Sequence, residues 1–134
     1  MPVPITLAKD TTRRWLVATA TGTLTIADIL AFLQTARASV DLRMWPLLFD
    51  GRGAQTTMKL NDVERAVAVV GAAIRTGGPR AHVAIVADDD RLYRWMLAYE
   101  TRCTEIDVRI IRVFRQRDDA EHWLEAVSAA RHFQ

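Results

Sequence analysis

Short apolar runs bounded by polar turns alternate along this chain with longer stretches in which apolar residues recur every three or four positions. Residues 5–9 and 15–21 predict two strands, the second rich in the Val, Thr and Trp that a pleated surface favours. The polar turn between them predicts an antiparallel pair, which Gly22 closes. Ile26, Ile29, Leu30, Leu33 and Ala36 then fall on one helical stripe, with Thr25 and Asp28 spaced as a capping box. Residues 46–50 read as a buried third strand. Asn61 and Glu64 have the form of a second capping box, ahead of a stripe of Val63, Val67, Val70 and Ile74 that stops at Gly77-Gly78-Pro79. Residues 82–87 give a fourth strand, and Asp88, Asp89 and Asp90 put negative charge at the start of a third helix. That helix turns Leu92, Trp95, Met96, Tyr99 and Cys103 inward. Residues 108–114 predict the fifth strand, and Asp118 opens a last helix with Ala120, Trp123, Leu124 and Val127 inward.

The predicted order is β-β-α-β-α-β-α-β-α. Apolar strands separated by helices imply an α/β fold: a mainly parallel five-stranded sheet with right-handed crossovers and an antiparallel N-terminal hairpin at one edge. Its 134 residues make one domain, residues 1–134, large enough to bury a core without disulfides or metal. Half hydrophobic and a quarter charged, the chain has a globular rather than a disordered balance. The longest apolar runs are strand-sized, so no transmembrane segment is expected. The N-terminus lacks the pattern of a signal peptide, and the lone Cys103 suits a reducing compartment; both point to the cytoplasm. A net charge of +2 does not announce a nucleic-acid binder.

Several local sequences resemble the SpoIIAA-like family, a branch of the STAS-type domains. They are Gly22-Thr23-Leu24-Thr25, Leu47-Leu48-Phe49-Asp50-Gly51-Arg52-Gly53-Ala54, Arg80-Ala81-His82-Val83-Ala84-Ile85-Val86, Val113-Phe114-Arg115 and Asp119-Ala120-Glu121-His122-Trp123-Leu124. The resemblance implies a superhelix of strand–helix turns and a superfamily tie to the CRAL-TRIO lipid-transfer domains. STAS proteins that antagonise anti-sigma factors carry a phosphorylatable Ser near the helix after the third strand. Here that segment is Met58-Lys59-Leu60-Asn61-Asp62, with no hydroxyl, so no phosphorylation site is expected.

Candidate chemistry is sparse. Gly51-Arg52-Gly53 has two of the glycines of a phosphate loop, but no Gly-Lys-Ser/Thr follows. It reads either as a tight turn leaving a buried strand or as a ligand loop. In the second reading Asp50, Arg52, Gly53, Thr56 and Thr57 supply polar contacts at the C-terminal edge of a parallel sheet, where open α/β sheets bind ligands. Asp88 should open on the same edge. The triple Asp is read as helix capping before a cation site, His82, His122 and His132 lack zinc spacing, and Cys103 reads as an inert core thiol. No metal, cofactor or catalytic set is expected.

On the third helix Arg91 and Arg94 adjoin Tyr93 and Leu97, the composition of an interface core and rim; the alternative is a helix packed on two sides. Three functions remain, in order. The first is a non-catalytic interaction module, a homodimer or one with an unknown protein partner. The second is a carrier or sensor of a small apolar or anionic ligand. The third is a metal- or phosphate-dependent enzyme on the strand-end loops.

Overall fold

The computed structural model describes residues 4–38, 44–77 and 81–132. The predicted Gly78-Pro79 stop and Arg80 lie outside them, as do the side chains of Ala36 and His132. Strand β1 (Ile5–Asp10) turns back into β2 (Trp15–Ala20), with Leu7 opposite Ala18. Then come β3 (Gly22–Leu24), α1 (Ile26–Ala38), β4 (Leu47–Asp50), β5 (Ala54–Thr56) and α2 (Leu60–Gly77). The chain ends with β6 (Val83–Val86), α3 (Asp90–Glu105), β7 (Ile111–Phe114) and α4 (Arg117–His132). The main sheet has the order β1-β2-β4-β6-β7, antiparallel only at β1. That is the predicted hairpin-edged parallel sheet.

The order advances in one direction, so three right-handed crossovers land on one face. There Val63, Val67 and Val70 of α2, with Leu92, Met96 and Cys103 of α3, pack on Leu16, Leu47, Phe49 and Ile85. Among the described residues α4 is the helix that covers the opposite face, setting Ala120 and Leu124 on Trp15, Leu48, Ala84 and Val86.

The ends of the elements follow local chemistry. At α1 the expected box forms: Asp28 N–H donates to Thr25 Oγ1 at 3.2 Å, and Thr25 N–H to Asp28 Oδ2 at 2.9 Å. The second box is corrected. Helix α2 starts at Leu60, Asn61 is already helical, and Asp62 rather than Glu64 reaches back, accepting from Lys59 N–H at 3.0 Å. The fifth strand is shorter than predicted because Val108 belongs to the end of α3. Asp107 adopts a left-handed φ of 66°, and Val108 N–H donates to Cys103 O, which is a Schellman turn with Val108 as its apolar contact. Strands β3 and β5 pair in parallel as a two-stranded ladder that the sequence did not predict.

Candidate functional site

At the C-terminal end of β4 the chain buries one carboxylate. Asp50 is 5% exposed and accepts from Arg52 Nε at 2.9 Å, Arg52 Nη2 at 2.8 Å and Arg117 Nη1 at 2.9 Å. Burial alone would raise its pKa. The Arg52 hydrogen bonds and charge, with Arg117, outweigh burial and hold the carboxyl below its ordinary value. Arg117 also pairs with Glu121, which Arg13 meets from the β1–β2 turn. Arg52 feels the field of Asp88 as well. Three guanidiniums thus face three carboxylates, leaving no surplus charge to draw in an anion.

The glycines here serve the backbone. A Cβ on Gly51 would lie 2.7 Å from Val86 O, and Gly53 turns the chain at a φ of +81°. Asp88 accepts from Gly53 N–H at 3.0 Å, tying the two strand-end loops together. Its neighbours diverge: Asp89 caps α3 through Leu92 N–H, and Asp90 pairs with Arg115. Among the described residues no group of three His, Cys, Asp or Glu could hold a metal ion. Thr56 is buried, donating to Leu24 O and accepting from Met58 N–H, whereas Thr57 is exposed. The structure therefore brings Asp50, Arg52, Gly53 and Asp88 together but leaves both threonines outside that cluster.

The helical face predicted from Arg91 to Leu97 is only partly a surface. Tyr93 and Leu97 are half-buried against the core, and the Arg115 guanidinium lies 4.1 Å from the Tyr93 ring centre. Arg91 is exposed and reaches Met58 O at 3.4 Å; Arg94 is exposed beside it. Farther along α3, burial pushes the Cys103 thiol up to about 11, so at neutral pH it is not a nucleophile. His82 stacks edge-on against Trp123, and His122 is exposed.

Sequence reasoning missed a concave feature with an apolar lining. Between α1, α2, α3 and the sheet lies a cleft of about 100 Å³, walled by Phe32, Phe49, Ala66, Val70, Ile85 and Trp95 among others. Every wall residue is apolar or aromatic. Its rim is not closed, because Ile29, Phe32, Leu33, Trp95 and Tyr99 keep part of their surface exposed. No described side chain of α1 is fully buried. The one available signal was in α1 itself, where Ile26, Ile29, Leu30, Phe32 and Leu33 spread beyond a single stripe.

Among solved structures, the chain is similar to an uncharacterised protein of the DUF3478 family from Shewanella loihica PV-4, itself described as having a SpoIIAA-like fold. The likeness covers 90% of this chain and 91% of that one, with a TM-score of 0.52 and 18% identity. The fold is SpoIIAA-like. At this identity the likeness carries architecture and no activity. No family model matches the chain, and no curated protein does. The SpoIIAA-like architecture places α1 as a crossover lying over the cleft, and among the described residues no helix is long and apolar enough to cross a membrane.

Proposed function

We propose that this protein is a non-catalytic binding module whose cleft beneath α1 holds a small apolar ligand. The observation that carries this reading is the cleft, about 100 Å³ of space walled by apolar and aromatic residues. Space of that kind is poorly hydrated, and an engineered apolar cavity of about 150 Å³ is enough to take benzene. A short alkyl chain suits the smaller volume here, and because the rim beneath α1 is open a ring can extend through it. The absence of catalysis is part of the same reading. Asp50 is held by two arginines, the three consecutive aspartates hold three different partners, and Cys103 is buried and protonated.

The test is titration with toluene and 1-hexanol, followed by amide chemical shifts. Saturable shifts at Val70, Ile85 and Trp95 are expected, and their loss in Ala66→Phe, which fills the cleft. Shifts that never saturate, or that survive in a folded Ala66→Phe protein, would reject the reading. Native mass spectrometry of the purified protein adds an independent readout, since a resident ligand appears as a reproducible adduct.

A second reading, a module that self-associates as a homodimer, is favoured by a different observation. Strand β1 ends the sheet with Leu7 43% exposed.

A further inference from the structure

The two edges of the sheet are finished differently. On β7, Val83 N–H donates to Ile110 O and Ala87 N–H to Phe114 O, so the backbone groups of Ile111 and Val113 face away from β6. Glu100 of α3 covers that edge by accepting from Val113 N–H at 2.7 Å. On β1 the direction of each residue can be read in the same way. Thr21 N–H donates to Pro4 O, while Leu16 N–H turns the other way, to Pro46 O beside β4. With the register Thr6↔Thr19 and Leu7↔Ala18, the alternation aims Thr6, Ala8 and Asp10 at β2, and Ile5, Leu7 and Lys9 outward. Among the described residues nothing bonds the outward backbone groups of Ile5 or Leu7. On the α1 face of the same strand, Ile5 and Leu7 wall a groove of about 190 Å³ with Asp28, Ala31 and Phe32.

We infer that β1 pairs antiparallel with β1 of a second copy across a two-fold axis at Leu7, fusing two sheets into one. This rests on the self-association reading and gives it a location. The outward set is symmetric about its centre, so self-pairing sets Leu7 against Leu7 and Ile5 against Lys9 in both directions. A self-complementary patch of this kind is what a two-fold interface requires. The charges agree: Lys9 of the second copy arrives opposite Ile5, at the groove that holds Asp28. The two Leu7 side chains meet on the face where the groove lies.

The test is sedimentation equilibrium on four proteins, with circular dichroism to establish folding. The unmodified chain is expected to dimerise. Leu7→Lys and Leu7→Glu, each placing like charges face to face at the axis, should weaken the dimer at least about tenfold. An equimolar mixture of those two variants should recover a dimer containing one of each. Leu7→Pro removes an outward N–H without touching the β1–β2 ladder, so it should be a folded monomer whose melt no longer depends on protein concentration. A dimer indifferent to all three folded variants would overturn edge pairing and leave self-association standing. A monomer at every concentration would overturn both.

Discussion

Gly51 shows how a residue's role can be visible in a sequence while its reason is not. Its N–H donates to Val86 O at 2.8 Å, and a Cβ would meet that same oxygen at 2.7 Å. Gly51→Ala must therefore push β4 and β6 apart at their ends. A loss of about 1–3 kcal/mol is expected, the range for overpacking a tight site, read as a lower urea midpoint with an unchanged slope. In sequence the same glycine resembled part of a phosphate loop, because spacing cannot distinguish an amide aimed at a ligand from one aimed at the next strand. Val108 misled in a similar way. An apolar β-branched residue before an apolar run extends a strand on paper, yet here it seals the end of a helix. Asp50, Arg52, Gly53 and Asp88 were legible as neighbours because topology alone brings the ends of adjacent parallel strands together. Their mutual neutralisation was not, since it depends on Arg117 and Glu121 arriving from α4.

Among the elements, α1 stands apart. Helices α2 and α3 each bury several side chains, whereas α1 buries none that is described and has a cavity on either side. Local opening free energies track burial, so amide hydrogen exchange should be faster across α1 than across α2. Toluene bound in the cleft should slow α1 selectively; equal protection of the two helices without ligand would contradict its loose seating. The main strands and the helices named above could be anticipated because their apolar periods are long enough to read. The β3–β5 ladder could not, because three-residue strands have no period, and the hydroxyl bond from Thr56 to Leu24 O that pins them joins residues far apart in sequence. The cleft escaped for a related reason. A hydrophobic stripe declares that a helix is buried and says nothing about how well it fits.

At the scale of the whole molecule, Asp50 links β4 and its following turn to α4, the helix that packs on the face opposite the crossovers. Its pKa is lowered by folding, so its contribution is complete above the unfolded value and lost as pH falls through the folded one. Acid should therefore begin to weaken this link below about pH 4. Asp50→Asn is expected to cost about 1–2 kcal/mol at neutral pH, a modest sum because Arg52 and Arg117 are 48% and 33% exposed. Denaturant curves for the two proteins should converge as pH drops toward 2–3. A constant gap would mean that the carboxylate's charge contributes nothing.

The same scale explains why the strand-end reading did not lead to a ligand crevice. Doubly wound sheets open such a crevice where strand order reverses. Here the order never reverses, so the space lies beneath the crossovers instead. That monotonic order also bears on how the molecule is made. Each parallel strand docks on the strand laid down just before it in the sheet, so a chain emerging from its N-terminus meets a waiting edge at every step. The hairpin provides the first template, and three crossovers extend it one strand at a time. The last helix then folds back over a surface that is already complete. Within the main sheet no strand waits for a partner beyond the next one in the sheet, which favours assembly during synthesis over assembly after it.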